Sequence, residues 1–137
     1  MNYNVPFSQR SASKILKTVA RGSKYNLPEG DTIRLFIWWK DGLARADLDL
    51  SAMFLDDDYN CKEQISYTKL KNKNIGAVHS GDITSAPKGA SEFIDISIKK
   101  CLDKNIRYVM MSVSSYTQQP FYDLPECFAG IMTRQYP

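Results

Sequence analysis

Carboxylates and their spacing are where this chain could do chemistry. Asp47 and Asp49 stand in the run Asp47-Leu48-Asp49-Leu50-Ser51, and His79-Ser80-Gly81-Asp82 follows further along. Alternate residues of a strand share a face, so Asp47, Asp49 and Ser51 point one way and Leu48, Leu50 and Ala52 the other. A row of like charges persists at low cost when water solvates it, when Lys or Arg bridges it, or when a hard cation sits within it. Calcium, which takes about six to eight oxygens, is such a cation. Spacing by itself favours a plainer arrangement, an exposed strand face beside a tight turn, because the twelve-residue calcium loop with its central Gly and terminal Glu is missing.

Catalysis finds little support. His79 is the only imidazole, and neither a Gly-x-Ser-x-Gly elbow nor a phosphate-binding glycine loop is present. His79, Ser80 and Asp82 have the composition of a triad, but such close neighbours do not generally converge as nucleophile, base and orienter. A His ending a strand more often bonds a backbone carbonyl. Cys61, Cys101 and Cys127 are odd in number and widely spaced, which disfavours zinc and fits buried or free cytosolic thiols. No apolar run approaches the ~20 residues of a membrane span, and residues 1–21 lack a signal-peptide core. The expected location is the cytoplasm.

These side chains must be positioned by a body that 137 residues can build as one domain. Apolar Ala12, Ile15, Leu16, Val19 and Ala20 recur at helical spacing and predict an amphipathic helix over 11–21, ended by Gly22. Arg10, Lys14, Lys17, Arg21 and Lys24 form a basic stripe on it. The stripe is an ordinary solvated face or, more sharply, a contact surface for an acidic protein partner or for peripheral contact with anionic lipid. A net charge of +3 is too mild to imply nucleic acid, and no aromatic or Gly-rich nucleic-acid motif appears. Residues 1–30 therefore form a helix and linker, and 31–137 the main body.

In the main body short β-prone runs alternate with turns, predicting strands over 33–39, 47–55, 64–68, 76–78, 92–96, 107–115 and 126–133. A mainly β, two-layer sandwich follows, with one short helix over 98–104 capped by Ser97 and closing the core through Ile98, Cys101 and Leu102. Lys71-Asn72-Lys73-Asn74 reads as a turn. Trp38 and Trp39 cannot share a face; both pack, or one forms an aromatic platform. The run Tyr108-Val109-Met110-Met111-Ser112-Val113 looks like a central strand buried on both sides. The loop 114–124, with Tyr116, Phe121 and Tyr122 around Pro120, is a long connection that covers the sheet edge or a recognition surface.

Taken in order, Asp47-Leu48-Asp49-Leu50-Ser51-Ala52, Gly76-Ala77-Val78-His79-Ser80-Gly81-Asp82 and Glu92-Phe93-Ile94-Asp95-Ile96 resemble the TerD family of bacterial tellurite-resistance and stress-response proteins. The resemblance covers about 31–134. It is nearer still to a TerD-like segment of larger bacterial proteins, some carrying a RING-type finger, through Arg34-Leu35-Phe36-Ile37-Trp38-Trp39, Ile83-Thr84-Ser85-Ala86-Pro87, Ser114-Ser115-Tyr116 and Ala129-Gly130-Ile131-Met132. It implies a calcium-binding β-sandwich in which Asp47, Asp49, Asp82 and Glu92 stand where the family gathers its ligands, with Ser51 or Thr84 as neutral donors. Family members follow His-x-Gly-Asp with several acidic residues, whereas this chain has Ile83 to Ser91 with Lys88 among them. Calcium affinity should fall accordingly. The family also continues past the strand near Ile131, whereas this chain ends at Pro137, as a shortened member or one piece of a longer protein would.

Two functions are expected from this reading. The first is a non-enzymatic stress-response domain that holds calcium and acts through protein partners, its contact surface supplied by Lys14, Lys17 and Arg21. The second is a metal-free module in which Arg45, Arg34 or Lys88 neutralises Asp47, and Tyr116, Phe121 and Tyr122 bind a peptide or another domain.

Overall fold

The fold is taken from a computed structural model, which describes residues 20–27 and 30–134. The helix expected over 11–21, with Lys14 and Lys17, lies almost wholly outside these residues. At its expected end Arg21 is exposed in a turn, closed by the Ser23 N–H donating to the Ala20 carbonyl (3.0 Å).

Period-two alternation builds the strands. In β1 (Thr32–Lys40) Ile33, Leu35, Ile37 and Trp39 are buried and the intervening residues face outward. The same pattern separates the tryptophans. Trp39 is fully buried and donates its Nε1–H to the Ala46 carbonyl (2.9 Å), while Trp38, on the opposite face, donates to Glu126 (2.9 Å). Gly89 leads the chain beneath Trp38 at φ +93°; a Cβ there would stand 2.3 Å from the indole, so only glycine fits both backbone and space.

The remaining elements are β2 (Leu48–Leu55), β3 (Cys61–Ile65), β4 (Lys71–Asn72), β5 (Ala77–His79), β6 (Ala90–Ser97), α1 (Ile98–Asp103), β7 (Tyr108–Ser115), a 3-10 turn at Phe121–Asp123, and β8 (Glu126–Arg134). They form two antiparallel sheets, a five-stranded one in the order β4-β5-β6-β1-β8 and a three-stranded one in the order β3-β2-β7. The buried faces of β1, β2 and β6 share one apolar cluster, with Leu48, Leu50, Ala52 and Phe54 meeting Ile33, Leu35, Ile37, Ile94 and Ile96. Each Leu, Ile and Phe side chain among them contributes about 1.5–3 kcal/mol through burial. No helix among the described residues is long and apolar enough to cross a membrane.

Four expectations change. β3 begins earlier than 64–68, because the Asp56 carboxylate accepts from the Asp58 and Asn60 amides (both 2.9 Å) and tightens the preceding turn. Lys71 and Asn72 pair with β5 instead of turning. In α1, capped by Ser97 accepting from the Lys100 amide (3.3 Å), Cys101 is buried but Leu102 is about half exposed; a six-residue helix turns little surface inward, and Ile106 fills the place expected of Leu102. β7 is no central strand. It is an edge, and every second residue of it is exposed.

Candidate metal centre

The centre is organised by a shortfall in the smaller sheet. β3 pairs with β2 only from Ala52 to Leu55, so the backbone of Leu50 has no strand on that side. His79, at the end of β5 in the other sheet, supplies the missing partner. Its Nδ1 accepts from the Gly81 N–H (2.9 Å), so Nε2 carries the proton and donates to the Leu50 carbonyl (3.0 Å). Burial holds the imidazole pKa below its ordinary value, in keeping with a neutral ring. Both nitrogens are thus occupied by backbone, as expected of a His ending a strand, and the triad-like reading gains nothing.

The same bonds place Asp82. After His79 the chain turns through Gly81 at φ +119°, and Ser80 is tied to Phe93 twice, through N–H to carbonyl (2.8 Å) and through Oγ accepting the Phe93 N–H (2.9 Å). From the other side, the loop after β7 fixes Asp47. The Tyr116 N–H donates to the Asp47 carbonyl (2.9 Å), the Asp47 N–H to Thr117 Oγ1 (3.0 Å), and Gln119 Nε2 to the Arg45 carbonyl (2.6 Å). Nothing in the sequence marked Thr117 and Gln119 for this tethering role beyond the polarity of their loop.

The result brings together three predicted residues: one carboxylate oxygen each from Asp47, Asp49 and Asp82 lie within 4.8 Å of one another. Asp47 is 5% exposed, Asp49 half-buried and Asp82 exposed, so the cluster opens to solvent on one side. Burial, then the charges of Asp47 and Asp82, push Asp49 up to about 6. Burial and the charge of Asp82 raise Asp47 against the opposing pull of Arg45. Arg45 Nη1 stands 3.9 Å from Asp47 Oδ2 and donates to the Thr84 carbonyl (2.8 Å). Arg34, another expected neutraliser, is committed elsewhere, to both oxygens of Asp95 (2.7 and 2.8 Å).

Glu92 departs from the expected ligand set. It lies outside the three-carboxylate cluster and on the core face of β6 beside Ile94, because alternation along the strand turns it inward. It is fully buried, 3.5 Å from His79 Nε2, and neither carboxyl oxygen has a hydrogen bond of good geometry. Burial pushes it up to about 8; the nearby Ile83 and Leu50 amides oppose that and the charges of Asp49 and Asp82 add to it. At neutral pH it is mostly protonated.

The donor set suits a hard cation. All its atoms are carboxylate oxygens, and buried Asp47 Oδ1 has no partner within the protein. Tyr116, Phe121 and Tyr122 lie on the tethered loop and are exposed, Tyr122 at 81% and Tyr116 at 67%.

No protein-family model matches the chain. Over 87 residues it is 29% identical to the tellurium resistance protein TerZ of Serratia marcescens, a stretch covering 63% of this chain and 45% of that protein. The match thus spans less than half the length of that relative. The likeness is distant and partial, and it supports a Ter-related family.

Proposed function

We propose that this chain is a non-enzymatic, TerD-like β-sandwich of the tellurite-resistance and stress-response type, which binds calcium at Asp47, Asp49 and Asp82 and acts through protein partners in the cytoplasm. The observation that carries the reading is the convergence of three carboxylates, one oxygen of each within 4.8 Å of the others, where one of the three, Asp47, also has a buried oxygen that the protein leaves unpartnered. Like charges gathered so closely repel one another and weaken the fold unless something positive joins them. Calcium would supply that charge, with Glu92 a reserve carboxyl behind the site and the carbonyl of Thr84 within the same loop. The cysteines are free, as a reducing compartment requires. The likeness to a tellurium resistance protein supports the stress-response setting.

Arg45 favours a second reading. Its guanidinium already reaches toward Asp47 and bridges to Thr84, so the chain could dispense with metal and use the Tyr116, Phe121 and Tyr122 loop as a peptide-binding surface. Thermal melting of chelator-treated protein separates the two. At calcium about a hundredfold above its Kd, stabilisation is about 2.7 kcal/mol, or ~10 °C in a chain of this size. Magnesium, which dehydrates reluctantly, should give much less. Asp49→Asn with Asp82→Asn should abolish the calcium shift while leaving the metal-free protein as stable or slightly more so. An identical calcium shift in that double variant would count against the site.

A further inference from the structure

Among the described residues the two sheets present four edges, and two carry ordinary protection against pairing with another chain. β4 has two residues, and β3 runs beside a register shift at Phe54/Leu55 and carries Lys62 and Glu63; β8 has Gly130 at mid-strand and bears charge only at its ends. β7 differs. Its eight residues, Tyr108–Ser115, contain no charge, proline or glycine, and its ladder with β2 is continuous. Among the described residues no strand pairs with its outer side.

The core beneath it is also incompletely covered. Val109, Met111 and Val113 point toward the apolar cluster yet are only half-buried, whereas Leu48, Leu50, Ala52 and Phe54 of neighbouring β2 are fully buried. The backbone phase follows from the Tyr116 N–H bond to the Asp47 carbonyl and the register Asp49↔Ser114. Even-numbered residues of β7 turn their N–H and C=O toward β2, so Val109, Met111, Val113 and Ser115 present theirs to the open edge.

We infer that β7 is a homodimerisation edge, pairing antiparallel with β7 of a second copy about a two-fold axis at Met111. The occupant is a second copy because the strand is complementary to itself. In that register Met111 faces Met111, Val109 faces Val113 and Tyr108 faces Ser114 across the axis, all outward-turned backbone groups meet their like phase, and no charge opposes another. The pairing joins the two smaller sheets into one six-stranded sheet and extends the cover over the half-buried valines and methionine. It does not depend on any metal.

The test is sedimentation equilibrium of the full chain across a concentration series, with two variants on the outer face of β7. Met110, 47% exposed, and Ser112, also exposed, would oppose one another twice across the axis. Met110→Lys with Ser112→Lys sets lysine against lysine at both places and should raise the dimer dissociation constant about tenfold. Met110→Lys with Ser112→Glu sets opposite charges there and should restore it. Far-ultraviolet circular dichroism confirms that each variant folds. A native chain that stays monomeric throughout, or a dimer indifferent to both variants, would overturn the inference. So would a monomeric full chain that dimerises only when residues 1–19 are removed, since the edge would then be capped by the chain's own amino-terminal segment.

Discussion

Glu92 makes the stability of the metal-free protein depend on pH with a known sign. A carboxyl whose folded pKa exceeds its unfolded value holds its proton more tightly in the native state. Its contribution is whole below about pH 4.5 and is lost progressively as pH rises to about 8, the value to which burial pushes it. Because the side chain is fully buried, solvent screening does little to soften the effect. Each pH unit between those limits costs about 1.4 kcal/mol, and the loss levels off above the folded pKa, so moving from about pH 6.5 to about pH 8.5 should remove about 2 kcal/mol. In a 137-residue chain that is about 7 °C in melting temperature. Asp49, raised to about 6, is mostly titrated below this window. The perturbation is Glu92→Gln, which mimics the protonated acid in shape and cannot ionise. Urea unfolding in chelator at the two pH values should show the native chain losing ~2 kcal/mol and the variant losing little. Equal losses in both proteins would refute the reasoning, and so would a native chain equally stable at both pH values.

Other consequences are as direct. Arg45→Gln removes a positive charge beside Asp47 and should tighten calcium binding about fivefold at low salt, read by calorimetric titration; unchanged or weaker binding contradicts a competing role for Arg45. His79→Phe leaves the Gly81 N–H and the Leu50 carbonyl without their partner and should cost about 2–4 kcal/mol in urea unfolding, with a loss under ~0.5 kcal/mol counting against the inter-sheet tie. Gly89→Ala must place a Cβ against the Trp38 ring at positive φ, so about 2–3 kcal/mol of stability should disappear while the calcium-induced melting shift survives.

Much of this was written in alternation. The period-two run over 47–52 predicted a strand and its buried face, since a half-buried strand has one physical solution for such a pattern. The strand over 33–39 was predicted too, but its alternation looked loose and packing on both faces was expected, whereas only Ile33, Leu35, Ile37 and Trp39 are buried. The Ser97 cap was legible because it is a local rule with a local cause. That His79 would bond a backbone carbonyl was expected, but the carbonyl is that of Leu50, far off in sequence and in the other sheet. Errors arose where tertiary surroundings decide. Tyr108–Ser115 is apolar enough for a central strand, and only the sheet order shows that it is an edge. Glu92 was named by its place in the motif; its parity in β6 turns it toward the core, outside the three-carboxylate cluster but close enough for the charges of Asp49 and Asp82 to act on it. Thr117 and Gln119 could not be foreseen as tethers, because their partners lie far off in sequence at Asp47 and Arg45. Asp47, Asp49 and Asp82 were named from residues and resemblance together, and the fold does bring their oxygens to one place.

The most direct test of the central claim is a calcium titration of isotope-labelled, chelator-treated full-length protein followed by amide NMR shifts. The account predicts saturable changes concentrated at Asp47–Ser51 and Gly81–Thr84, with smaller ones at the tethered Tyr116–Gln119, and none after Asp49→Asn with Asp82→Asn. No change at millimolar calcium, or changes centred on the exposed Asp56-Asp57-Asp58 turn instead, would contradict it.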